Sequence, residues 1–397
     1  MKRRETLTAV LFLIATAAAS LLLAVNLLTA PPAAPVPPAE GGPLAQFTAF
    51  VGSAEGKVNG ALDQDHLFIQ LYGGIQALSG RRVVPDMDPT YTVVTLENGA
   101  LTFANPDPPH LDTTDNALAL ADFGDTLKAE LDIPLLYVQA PQKASPQGLP
   151  PGIPDYGNEY ADTVLSVLRS RGIAALDLRP VLAAAAADPA TPPLFFRTDH
   201  HWTPEGAFLG YQALSQTLAQ DYGFPVSPVF TDADRYTKTV YEDWFLGSQG
   251  KRVGTLYAGT DDITLWTPDF ETGFTYTTAD AVREGPFASS LLFPERLEPK
   301  DYFNGNPYTL YAGGDYPIAT IENHLNPDGP KILLIRESFA CAITPFLALD
   351  CGELTTVDLR SFEGDLMETI GRHQPDLVMV LYGASSTRVP QLFNFMR

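Results

Sequence analysis

The sequence predicts an α/β fold: a parallel sheet with flanking helices and a β-rich insertion. Three observations lead there. Short, nearly continuous apolar runs recur along the chain, helix-period segments alternate with them, and one long stretch breaks the alternation. The runs are "IPLLYVQAP" from Ile133, "IAALDL" from Ile173, "KILLIR" from Lys331, "LTTVDL" from Leu354 and "DLVMVLY" from Asp376. An apolar run without polar alternation is what a strand shows when both faces of its sheet are covered. Strands alternating with helices imply parallel pairing through crossovers.

Each remaining element follows in chain order. Lys2, Arg3 and Arg4 precede an apolar run from Leu7 to about Ala30. A bilayer span needs ~20 apolar residues and a signal-peptide core ~7–15. The expectation for residues 1–30 is therefore a membrane anchor, with the basic end cytoplasmic and the remaining chain extracytoplasmic at the cell membrane. A cleaved signal and secretion is the alternative, with Ala17 and Ala19 as its small-residue pattern. "PPAAPVPP", inside a linker over 31–45, reads as an extended stalk. Residues 46–397 form the α/β domain. Within it "TTDNALALADFGDTLKAEL" from Thr113 reads as a helix. So does "NEYADTVLSVLRSRG" from Asn158, which stops on Gly172. From about 224 to 326 the chain is rich in Thr, Tyr, Asp and Gly, and this is the insertion. In open parallel sheets ligands sit at the carboxyl ends of the strands, where such an insertion can wall a cleft.

Composition narrows the function. The formal net charge is −22, which argues against nucleic acid as a partner, because phosphate binding needs clustered Lys and Arg. Only Cys341 and Cys351 occur. The residues between them read as helix, which separates them by ~15 Å, whereas a disulfide needs Cα atoms within ~7 Å. Two buried thiols are expected, and no zinc-type cysteine spacing exists.

One cluster stands out: "RTDHHWTPEGA", residues 197–207. Thr203, Pro204 and Glu205 read as a helix start, with a capping hydroxyl and then proline at the first helical position. Asp199, His200, His201 and Trp202 then lie on the preceding loop. In an extended segment residues two apart share a side. Asp199 and His201 are thus expected to face one way and His200 the other. An Asp beside a His can fix its tautomer, as in a Ser-His-Asp triad. The candidate nucleophile is Ser338, where the "KILLIR" strand should turn into a helix and nearby backbone N–H groups can bind an oxyanion. From the residues alone Ser338 also reads as a plain helix cap. Metal ligation by Asp199, His200 and His201 is a second reading of the cluster. A third is a non-catalytic carbohydrate-binding or scaffold protein, with Trp202, Trp244 and Trp266 stacking on sugar rings.

"TDHHWTPEGA" resembles the signature of the DHHW protein family. "KILLIRESFACAITPFLALDCGELTTVDLRSF" resembles its second signature, and "DWFLGSQGKRVG" from Asp243 a third, weaker block. The family is similar to the alginate O-acetylation proteins, which share an Asp-x-His-Trp pattern, an SGNH-hydrolase-like fold and a Ser-His-Asp triad. The resemblance implies Ser338 as nucleophile, His201 as base and Asp199 as orienting acid. Arg360, at the end of "VDLR", and Trp202 are expected to contact substrate, and no metal or cofactor is expected. Arg360 reads equally as a structural ion pair. Glu337 stands where the family has Asp before the serine, and no match to the SGNH oxyanion asparagine is found. The implied function is acetyl transfer to, or ester hydrolysis on, a cell-surface or exported polysaccharide. A membrane-bound O-acyltransferase would be the acyl-supplying partner.

Overall fold

The computed structural model describes residues 66–108, 111–144 and 148–396, with a few scattered positions between 10 and 56. Two compact units divide the chain, residues 1–80 and 81–397. In the first, helix α1 spans Leu67–Leu78. The 31–45 linker and most of the 1–30 segment lie outside the described residues. The expected N-terminal membrane span is corrected: among the described residues, no helix is long and apolar enough to cross a membrane.

The second unit opens with a small antiparallel sheet of β1 (Val83–Val84), β2 (Val93–Thr95) and β3 (Leu101–Phe103). Helix α2 (Leu111–Thr126) leads to β4 (Leu135–Gln139), and α3 (Gly157–Ser170) to β5 (Ala174–Asp177). Gly172, just past α3, has φ +70°, a left-handed helix stop that glycine adopts without a Cβ penalty. Helices α4 (Arg179–Ala186) and α5 (Pro204–Asp221) follow. After the segment from 224 come β11 (Lys331–Arg336), α6 (Ala340–Asp350), β12 (Glu353–Val357), α7 (Leu366–His373) and β13 (Leu377–Tyr382). All five apolar runs are strands. They lie side by side in the order β5-β4-β13-β11-β12, parallel throughout.

Period-two alternation on these strands feeds two cores. Leu136, Val138, Ile332, Leu334, Met379 and Leu381 pack on the α5 and α6 side. Leu135, Tyr137, Leu333, Ile335, Val378 and Val380 pack on the α2, α3 and α7 side. This is why the runs carry no polar alternation. Every residue of α6 is buried, because it runs beneath α5 and the aromatic residues of the segment from 224. Cys341 and Cys351 are buried thiols at its two ends.

The 224–326 segment divides in two. β6 (Tyr236–Phe245) and β7 (Asp261–Pro268) pair as a separate antiparallel ribbon. β8 (Phe274–Thr277), β9 (Val282–Gly285) and β10 (Ile318–Asn323) instead extend the main sheet past β12, each antiparallel to its neighbour. The sheet therefore has eight strands in the order β5-β4-β13-β11-β12-β10-β8-β9.

Candidate active site

The site lies at the carboxyl ends of β4, β11 and β13. β11 ends at Arg336, and the turn Glu337-Ser338-Phe339 hands the chain to α6. The opposing loop, 197–202, is fixed by the helix that follows it. Thr203 caps α5 by accepting the Gly206 N–H, with Pro204 at its first turn. Trp202 is wholly buried against α5, where a Cβ at Gly210 would meet its ring at 3.0 Å. Its indole N–H donates to the Phe339 carbonyl at 2.9 Å. Tyr308 donates to the same carbonyl at 3.0 Å. The residue after Ser338 is thereby tied to the loop that carries the histidines.

Three side chains meet in a relay. His201 Nδ1 lies 2.5 Å from Asp199 Oδ1, and His201 Nε2 lies 2.8 Å from Ser338 Oγ. Asp199 Oδ1 also accepts the His201 backbone N–H at 3.0 Å, and Oδ2 accepts the Ser248 N–H at 2.6 Å. With its carboxylate partner on Nδ1, the imidazole presents Nε2 to the serine, the tautomer a general base needs. Burial opposes the charge on Asp199, but the two neighbouring histidines and the Ser248 N–H outweigh it and hold the carboxyl well below the usual range. The His201 ring stacks on Tyr308 at 4.0 Å between centroids, which fixes its plane.

Two further charges hold the loop. Lys143, just past β4, donates to the carbonyls of Phe196, Arg197 and Asp199 at 2.9, 3.3 and 2.5 Å. Burial lowers its ammonium to about 8. From the other side Asp261 accepts the N–H groups of Arg197 and Thr198, both at 2.8 Å. Neither residue carries a local sequence pattern that would have pointed to it. Gly247 completes the packing: a Cβ there would sit 2.1 Å from the Asp199 Cβ. That contact explains the glycine in "FLGSQGK", the third of the sequence blocks.

Other expectations change. His200 does not point away. Residues 197–201 form bends rather than a strand, and the Asp199 carboxylate reaches forward to the His201 N–H. The His200 ring therefore lies 3.8 Å from the His201 ring. Trp202 is sealed from solvent, so no sugar can stack on it, and Trp266 is buried as well. Arg360 is paired with Asp358 at 2.6 Å and Asp315 at 2.8 Å, so its structural reading describes its contacts. Glu337, in the place of the family's Asp, accepts the Gly383 N–H at 2.8 Å and the Phe339 N–H at 3.2 Å. Its carboxyl also lies 3.1 Å from Ser338 Oγ, and burial raises its pKa. Ligand atoms of Asp199, His200 and His201 lie within 4.8 Å of one another. Both Asp199 oxygens and both His201 nitrogens already have hydrogen-bond partners, with which a cation would compete.

A cavity of about 300 Å³ opens beside the relay. Tyr91, Phe103, Lys143, His200, Gln249 and Phe339 are among the residues that line it.

A serine at a parallel-strand end faces a His–Asp pair on the loop before a helix, on an α/β fold of the SGNH-hydrolase-like type. Residues 105–240 match the family model described as an SGNH hydrolase-like domain, acetyltransferase AlgX. Among solved structures, Bacillus cereus PatB1 is similar with a TM-score of 0.62 and 23% identity, over 76% of this chain and 99% of that one. PatB1 with a sulfonyl adduct matches at 0.61 and 22%, over 77% and 100%. A DHHW family protein from Eubacterium siraeum matches at 0.61 and 18%, over 80% and 100%. At these identities the agreement is one of fold. No curated protein sequence matches the chain.

Proposed function

We propose that this protein transfers acetyl groups through Ser338, from an ester donor to a hydroxyl of a polysaccharide. The observation that carries the reading is the unbroken relay from Asp199 through His201 to Ser338 beside an open cavity. The acetyltransferase description of the matching family model supports the choice of acyl group.

His201 Nε2 takes the Ser338 proton as Oγ attacks the ester carbonyl, and Asp199 stabilises the resulting imidazolium. The tetrahedral intermediate collapses. The C–O bond to the donor alcohol breaks, and His201 returns the proton to the leaving oxygen. A sugar hydroxyl then gives its proton to His201 and attacks the acetyl-serine, releasing Ser338 to take the proton back. Water in place of the sugar gives hydrolysis. A membrane-bound O-acyltransferase is the proposed source of the acetyl group.

The test uses the full chain and an activated phenyl acetate. Wild type should release acetate, and Ser338→Ala should stop it. Equal release by both proteins removes Ser338 from the chemistry.

A further inference from the structure

His200 is the one member of the Asp199–Trp202 run that reaches the cavity. Its side chain is 42% exposed, against 8% for His201 and 5% for Asp199. Nδ1 faces two oxygens, Ser248 Oγ at 2.9 Å and Asp199 Oδ1 at 3.6 Å. An ionised carboxylate on that side favours the hydrogen on Nδ1. The remaining polar atom of the ring, Nε2, then carries a lone pair. No hydrogen bond to it exists among the described residues.

We infer that His200 binds the acyl acceptor, its Nε2 taking a hydrogen bond from a sugar hydroxyl next to the one being acetylated. This rests on the acyl-serine reading above and adds which substrate the cavity holds. A lone pair needs a donor. The acetyl ester offers only acceptor oxygens, whereas a sugar ring offers several O–H groups. The aromatic side chains of Tyr91, Phe103 and Phe339 share the cavity and suit the C–H faces of such a ring. The acceptor class is therefore a hydroxyl-rich sugar. Contact between the two imidazoles brings this hydroxyl beside the base that must deprotonate its neighbour.

The measurement is the partition of acetyl groups between sugar and water. Full-length protein is given an activated phenyl acetate with either cellotetraose or an oligogalacturonate as probe. Acetylated sugar is counted by mass spectrometry against free acetate. Wild type should acetylate at least one of the two probes. His200→Phe should lower the ratio of acetylated sugar to acetate by about tenfold or more, the worth of one well-made hydrogen bond. His200→Gln, which keeps an acceptor atom, should recover part of the loss. A ratio within about twofold of wild type in folded His200→Phe and His200→Gln proteins overturns the inference. So does a wild type that releases acetate through Ser338 but modifies neither sugar. Acetate release that survives Ser338→Ala instead overturns the underlying acyl-serine reading.

Discussion

Replacing Asp350 by Asn should stabilise this protein at neutral and higher pH. Asp350 ends helix α6 inside the core, where α5 crosses it. Ser215 donates to its Oδ2 at 2.8 Å, and the buried Oδ1 has only the nearby Tyr211 hydroxyl, which lies outside good hydrogen-bond geometry. Burial pushes the carboxyl from 3.8 up to about 7. At about 1.4 kcal/mol per pKa unit, that shift corresponds to a cost on the order of 4 kcal/mol for holding the ionised form. The folded state keeps the proton up to about pH 7, while the unfolded chain loses it near 4. Between those values the folded state binds more protons, so this group's contribution to stability falls as pH rises and levels off above about 7. Asn is a neutral isostere that does not titrate. Urea unfolding of wild type and Asp350→Asn at several pH values between 4 and 8 isolates the effect as the difference between the two proteins. That difference should grow in favour of the variant by up to about 4 kcal/mol. A constant difference across the range, or a variant that loses stability relative to wild type as pH rises, would refute the reasoning.

Other outcomes concern the site. His201→Ala should cut acetate release by ~10³-fold or more, because no base remains for the serine proton, and Asp199→Asn should keep the fold but lose much of the rate. Gly247→Ala should cost most of the activity even though residue 247 does not line the cavity, since its Cβ would drive Asp199 aside; a variant with wild-type kinetics refutes that packing argument. EDTA should leave acetate release unchanged if the relay works by proton transfer, and chelator-sensitive activity restored by zinc would return the Asp199–His200–His201 cluster to a metal role.

The parallel core was legible because each of its strands packs on both faces, which removes polar alternation from the sequence. The start of α5 was legible because Thr203 and Pro204 are local devices whose chemistry does not depend on the rest of the fold. Asp199 and His201 could be paired from their spacing alone, although the pairing arises through a bend and a carboxylate-to-N–H contact rather than through a strand. The same bend is why His200 was misplaced: alternation applies only to extended backbone. Lys143, Asp261 and Tyr308 could not be found, because each meets the loop from a distant part of the chain and carries no pattern of its own. The segment from 224 was read as one unit because its strands share a composition. Whether a strand pairs with its hairpin partner or with the edge of the main sheet is decided by tertiary contacts.

The Glu337 carboxyl gives the Ser338 hydroxyl a second acceptor besides the imidazole. A hydroxyl has one proton, and two acceptors lie within reach of it, His201 Nε2 at 2.8 Å and Glu337 Oε2 at 3.1 Å. While Glu337 is ionised, a proton turned toward it leaves the imidazole nothing to receive, and the serine idles. When Glu337 holds a proton of its own, it becomes the donor, and the serine hydroxyl is free to turn to His201. Burial shifts Glu337 toward its protonated form. An aspartate in the same place, one methylene shorter, would hang back from the hydroxyl. The longer side chain thus puts a second acceptor within reach of this hydroxyl.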